Sequence, residues 1–349
     1  MAVGRVADYT ASIPQIWSDG LFSQAENLTF FNGMEGAEGS SMPIIRKDQL
    51  GQEAGDTIKT DLVLALTGAG LTGDTAGSLL EGNEEALKFR QLSFEVDSLQ
   101  HAVRWTKLAQ KVITHDMRRT AQNQLAKWLA GKLDDQIFSE LSGAGATTLP
   151  TTAQWFAGTA TSRNTVADTD AGGRLTLDSL TELKAYAQVE NKIEPVRTED
   201  GNEYFVLVAH PYAVMQLKRD DVKWAQAQRE AQVRGDENPL FTGSAGIWDG
   251  VVIKSSNRVR RSVNTNTPAI QVADNLFLGA QAMIRGYGSY PDWTEEYFSY
   301  GQEAGIATWT LVGNKLAVFD LTSGGGAAAA DHTAIGSMVV YTSAVAPTA

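Results

Sequence analysis

The chain has 349 residues, 43% hydrophobic and 20% charged, enough apolar content for a sizeable core and, at about 150 residues per domain, for roughly two domains. Lysine and arginine number 29 against 41 acids, a net charge of −12, which argues against a nucleic-acid binder working through a basic face. The absence of cysteine excludes a disulfide scaffold, a thiolate zinc site, a Cys nucleophile and iron–sulfur chemistry.

Residues 1–45 read as an arm. Ile13, Ile16, Trp17, Leu21 and Leu28 recur at helical spacing behind Ser12, with Pro14 in the first turn, before Gly33, Gly36 and Gly39 break any regular element. Strands are expected at 56–66 and 89–105, where Phe94 and Val96 alternate with Glu95 and Asp97. The Gly-rich segment 67–88 between them is too long for a hairpin turn and suggests a protruding arm.

The strongest helix lies within 107–141. Leu108, Val112, Met117, Ala121, Leu125, Leu129, Leu133, Ile137 and Leu141 keep mostly to steps of four, and Ser142, Gly143 and Gly145 end it. Its start is open, because Thr114 with Asp116 would also cap; from Thr114 it would run about 40 Å. Loop or weak strands follow at 143–173. A helix is expected behind Asp178 over 178–190, a buried strand at 203–209, a helix from Pro211, and another at 222–233. Further strands are expected at 251–255, 270–278, 305–320 and 333–342, the last beyond the tether SGGGAAAAD.

No run approaches the roughly 20 apolar residues that cross a bilayer. The opening MAVGRVADYTASIPQIW lacks a basic segment followed by an apolar one, so a soluble protein without a secretory leader is expected. GAGLTG (Gly68 to Gly73) matches a dinucleotide fingerprint, but Gly77 and Gly82 would break the helix that must open there, so a loop is the better reading. The acidic pairs Glu84–Glu85, Asp134–Asp135, Asp236–Glu237 and Glu295–Glu296 read as solvated charge, with Asp134–Asp135 pairing to Lys132 or to a neighbour's arginines. The four histidines are scattered and His115–Asp116 is half a triad only on paper, so neither catalytic residues nor a bound metal or cofactor is expected. Arg118 and Arg119 on the long helix, and Arg258, Arg260 and Arg261, are expected to form salt bridges between subunits.

The order of elements resembles the major capsid proteins of tailed phages with the Hong Kong 97-type fold, and within them the phage N-four-type coat protein family. GDTIKTDLVLALTGAGLTGD (55–74), LLEGNEEALKFR (79–90) and THDMRRTAQNQLAKWLAGKLDDQIFSELSG (114–143) carry the resemblance. VLVAHPYAVMQLKRD (206–220), FTGSAGIWDGVVI (241–253), LFLGAQA (276–282) and EEYFSYGQEAGIA (295–307) extend it.

The resemblance implies an α+β fold with an N-terminal arm (1–50), an extended E-loop (51–97) and a peripheral domain with a spine helix (98–175). An axial α/β domain (176–290), peripheral-domain return strands (291–322) and a C-terminal tether and strand (323–349) complete it. It implies a homo-oligomer of pentamers and hexamers forming an icosahedral shell around double-stranded DNA, within a virion assembled in the host cytoplasm. Scaffolding, portal and decoration proteins are the implied partners, with no membrane and no cofactor. Leu71, Leu79, Leu80 and Leu87 would anchor the loop on a neighbour. An encapsulin-type compartment shell is the alternative; an enzyme built on Gly68–Gly73 is the remote one.

Overall fold

The computed structural model describes residues 28–48, 57–63, 84–87, 89–113, 116–145, 149–169, 173–197, 201–220, 224, 246–264, 270–320 and 332–347. Short strands β1 (Glu35–Gly36) and β2 (Ile44–Lys47) lead to a hairpin, β3 (Thr57–Val63) with β4 (Phe89–Glu95). Then come β5 (Asp97–Thr106) and the helices α1 (Lys107–Val112) and α2 (Met117–Leu141). Strand β6 (Gln154–Phe156), helix α3 (Leu177–Val189), strands β7 (Val196–Arg197) and β8 (Glu203–Ala209), and helix α4 (Pro211–Asp220) follow. Strands β9 (Gly246–Trp248), β10 (Val251–Ser255), β11 (Arg261–Val263) and β12 (Gln271–Leu278) precede the two longest, β13 (Met283–Phe298) and β14 (Glu303–Leu316). Strands β15 (Val318–Asp320), β16 (His332–Ala334) and β17 (Ser337–Ser343) close the described chain.

Two sheets organise these elements. One has the order β1-β2-β13-β14-β5; the other runs β6-β17-β12-β8-β10-β9, with β11 and β7 at its flanks. Helix α2 serves both. Ala121, Leu125, Leu129 and Leu133 pack on Trp293, Ile306, Tyr287 and Val312 of the first sheet, while Ile137, Phe138 and Leu141 enter the main core beside the second. A 25-residue helix with a continuous apolar stripe spans about 38 Å, long enough to tie two lobes together.

The long helical pattern breaks once. Ile113 leaves α1 in extended conformation, and Asp116 caps α2 by accepting the backbone N–H groups of Arg118 (3.1 Å) and Arg119 (3.3 Å). Leu108 and Val112, expected on the buried stripe, therefore sit on a separate short helix and are 73% and 75% exposed. Helix α3 begins one residue earlier than expected. Thr176 is its cap, in a reciprocal capping box with Ser179, and Asp178 lies in the first turn.

The region expected as an N-terminal arm is in part core. Phe31, Met34 and Ile44 are fully or almost fully buried, Phe31 packs 5.0 Å from Phe138, and β2 pairs with β13. The expected strand 89–105 is two strands in different sheets, separated at Val96. Strand β13 runs unbroken through position 290, where the axial and peripheral parts were expected to divide, and β17 lies inside the second sheet between β6 and β12.

Candidate assembly surfaces

The β3–β4 hairpin has one packed face and one bare face. Ile58, Leu92 and Phe94 contact Ile284, Ala317 and Phe319, on the side of the first sheet opposite α2. Lys59, Asp61, Gln91 and Ser93 face outward, as the two-residue period of a strand requires. The outward face carries Val63 and Phe89 as well, 53% and 59% exposed, while Leu62 beside Val63 still packs against the body; Leu87, before β4, is 60% exposed. Leu71, Leu79 and Leu80, together with GAGLTG, lie outside the described residues, as do the segment behind Ser12, His115, Asp236–Glu237, the tether and nearly all of the expected helix at 222–233.

A second apolar surface lies where β13 turns into β14. Ser299 and Tyr300 adopt left-handed backbone (φ 53° and 56°) and Gly301 follows at 79°, a conformation that costs a bulky residue energy. Tyr300 is fully exposed at this tip and Tyr297 largely so. The N–H of Lys107 donates to the carbonyl of Gln302 (2.8 Å), which sets α1, with its exposed Leu108 and Val112, beside the turn. Exposed large apolar side chains grouped in this way mark interaction surfaces. The sequence signal was a Tyr–Gly pair between strand-like runs, which sequence reasoning did not single out.

Four of the five arginines expected to bridge subunits have partners in their own chain. Arg118 makes a two-pronged pair with Glu295, and Arg258 pairs with Asp135 while donating to the carbonyl of Gly131 (2.8 Å). Arg258 thus joins the loop after β10 to α2. Arg260 lies 3.7 Å from Asp274, Arg261 stacks over the Tyr212 ring at 4.7 Å, and Arg119 is exposed. Asp134, expected to be solvated, is 3% exposed and accepts the Phe30 N–H on both oxygens (3.1 and 2.9 Å). Burial pushes its pKa up, against that hydrogen bond and the charges of Arg258 and Arg285.

Other polar groups hold the second sheet together. His210 caps α4, its Nδ1 accepting the N–H of Tyr212 (3.2 Å), and burial with the charge of Arg261 pushes its pKa down. Burial pushes the Asp274 carboxyl up, although Arg163 donates to it at 2.8 Å. Asp168 gathers Arg174, Gln216 and Ser343, binding the end of β17 to α4. Burial would raise its pKa, but hydrogen bonds from Arg174 and Ser343 more than offset this and hold it below the ordinary 3.8. A depressed carboxylate stabilises the fold above the unfolded value and loses that stabilisation as pH falls through the folded one. Asp168→Asn is therefore expected to lower stability at pH 7 and to narrow the gap to wild type below about pH 4. Urea midpoints across pH 3–7 check this; a constant gap would exclude the linkage.

A polar cavity of about 490 Å³ lies between the hairpin base and the end of α2, lined in part by Glu95, Asp97, Glu140 and Lys315. Among the described residues no group of three His, Asp or Glu is arranged to hold a metal ion. No described helix is long and apolar enough to cross a membrane.

Comparison with known proteins gives one consistent result. A profile of the family described as phage capsid protein matches residues 10–346. The major capsid protein of Pseudomonas phage KPP25 is 29% identical over 345 residues, covering 85% of this chain and 87% of its own. The capsid of Ralstonia phage GP4 superposes with a TM-score of 0.78 at 26% identity, over 92% of each chain. The capsid of cyanophage Pam1 gives 0.71 at 20% identity, over 91% of this chain and 92% of its own. With two sheets tied by one long helix, a projecting hairpin and a family match across nearly its whole length, the chain belongs to the phage capsid protein family and has the Hong Kong 97-type fold.

Proposed function

We propose that this chain is the principal shell subunit of a tailed-phage head, assembling as pentamers and hexamers into a closed icosahedral shell around double-stranded DNA. Its role is structural and not catalytic. The observation that carries this reading is the hairpin: one face is locked onto the body, while Val63 and Phe89 on the other face, with Leu87, are more than half exposed apolar side chains. Such a bare face stabilises its own subunit little and suits a contact with the next. The second apolar surface, with Leu108, Val112, Tyr297 and Tyr300, supplies another contact. The net charge of −12 suits a container, since an acidic inner wall does not grip DNA and leaves it free to enter and leave. Assembly in the host cytoplasm with scaffolding, portal and decoration proteins fits the same reading. The match to phage capsid proteins favours a head shell over an encapsulin-type compartment.

Electron microscopy of the purified chain tests the proposal: closed particles of uniform diameter are expected, and a monodisperse monomer at high concentration would overturn it. The subunits are also expected to remain covalently separate. Cysteine is absent, and residues 60–87 contain neither Lys nor Arg, so the loop tip offers no amine for an isopeptide bond. Boiled, denatured particles should run as one monomer band. A ladder of multimers would contradict this.

A further inference from the structure

The hairpin meets the body at an unusual seat. Gly286 of β13 and Gly313 of β14 are cross-strand partners, and so are Ile58 and Phe94 of the hairpin. The second pair lies directly over the first. A methyl group on Gly286 would overlap Ile58 Cδ1 and come within 3.3 Å of the Phe94 ring. On Gly313 it would lie 2.6 Å from the backbone carbonyl of Glu95 and 3.1 Å from both the Phe94 ring and Val96 Cγ1. Neither glycine has a positive φ, so backbone freedom does not explain them. What the site requires is the missing side chain: glycine within a strand marks a close approach of another segment. Ile58 and Phe94 are 3% and 6% exposed, so both are fully seated.

The seat also sets the hairpin's alignment. Val63 and Phe89 lie five residues beyond it on each strand, about 17 Å at 3.3 Å per residue, and between them and the seat the same face rests on the body through Leu92 and, in part, Leu62. Lifting the hairpin at the glycines therefore loosens this whole face and displaces its far end. We propose that the Gly286–Gly313 pair is a socket that fixes the direction in which the hairpin projects, making both glycines positioning residues for shell assembly; this rests on the contact role assigned to the hairpin above.

The obstacles differ in kind, which gives the test its discrimination. At Gly313 the obstacle is backbone and cannot retreat; at Gly286 it is the end of one side chain. Ile58→Val removes that terminal methyl, so it should rescue Gly286→Ala and leave Gly313→Ala unrescued. Three readouts on the full-length chain are needed: far-ultraviolet circular dichroism, tryptic cleavage at Lys59 and Arg90 in unassembled subunits, and closed-particle yield by electron microscopy.

Gly313→Ala is expected to keep its spectrum, to be cut in the hairpin about tenfold faster, and to lose closed particles by a similar factor, because cleavage follows the open population. Gly286→Ala should show a smaller change in the same direction, and the Gly286→Ala/Ile58→Val double variant should return to near wild type. Wild-type cleavage of Gly313→Ala, or a failed rescue of Gly286→Ala, would overturn the socket. A freed hairpin with normal shells would leave the seat in place and overturn the positioning role, by removing the contact reading beneath it. Should Gly313→Ala not fold, Gly286→Ala with and without Ile58→Val decides the question alone.

Discussion

Replacing residues 67–85 with a short Gly-Ser turn is expected to leave the far-ultraviolet circular dichroism nearly unchanged and to abolish closed particles. The expectation follows from where stability resides. The buried clusters among the described residues are built from helices α2, α3 and α4, the sheets, the segment at 28–48 and the hairpin face that rests on the body. The replaced segment joins β3 and β4, whose registered pairing from Thr57–Glu95 to Val63–Phe89 remains. What is lost, on the contact role proposed for the loop, is the hold on a neighbour. Leu71, Leu79 and Leu80 lie within the replaced stretch, Leu87 just after it, and each apolar side chain buried between subunits contributes about 1.5–3 kcal/mol. Repeated at every subunit of a shell, a deficit of that size prevents closure. Normal shells from this variant, seen by microscopy or as an unchanged void-volume peak, would show that the segment is not a contact arm.

A second large effect is expected inside the subunit. Arg285 is 1% exposed, pairs with the Glu35 carboxylate, donates from Nε to Asn314 Oδ1 (3.0 Å) and from Nη2 to the Leu133 carbonyl (3.3 Å), and lies beside the Tyr287 ring. One side chain thus joins β1, α2, β13 and β14. Arg285→Ala leaves a carboxylate that is 15% exposed without its countercharge, and breaking a buried pair in this way costs about 3–5 kcal/mol. Arg118→Ala is the control. Its pair with Glu295 is 39% and 27% exposed, and exposed pairs contribute about 0–1 kcal/mol. Urea denaturation of unassembled subunits reads both, and equal midpoints would refute the special role of Arg285.

The parts of this fold that could be read from sequence are those where one physical signal acts alone. EYFVLVA and VVIKS are short, apolar and bounded by turn residues, and both form strands at the expected positions, the first largely buried and the second buried at Val251 and Ile253. The leucines at steps of four mark α2, and Gly143, at φ 70°, follows its C-cap as expected. Strand β13 was largely hidden. Its sequence, MIRGYGSYPDWTEEYF, contains two glycines and a proline, and register shifts at Tyr287, Ser289 and Asp292 break the alternation a strand normally shows. The partners that the arginines find within the chain were hidden for a different reason. Glu295 is 177 residues from Arg118 and Asp135 is 123 from Arg258, so only the folded chain reveals that these charges are already paired. The exposed apolar side chains were hardly legible: Val63, Phe89, Leu108 and Tyr300 resemble ordinary core residues until their environment is known.

The position of β17 bears on how the protein is made. All seven of its residues are buried, and it fills the gap between β12, to which it runs antiparallel, and β6, which it joins in parallel. It is also the last described strand to leave the ribosome. Until residue 343 has emerged, β6 has no partner and β12 presents a bare apolar edge, the kind that templates pairing with another chain. Neighbouring nascent chains on one polysome present the same edge to each other. The second sheet closes only after β17 has emerged, about 180 residues behind β6, and messages cut short before β17 yield aggregation-prone products.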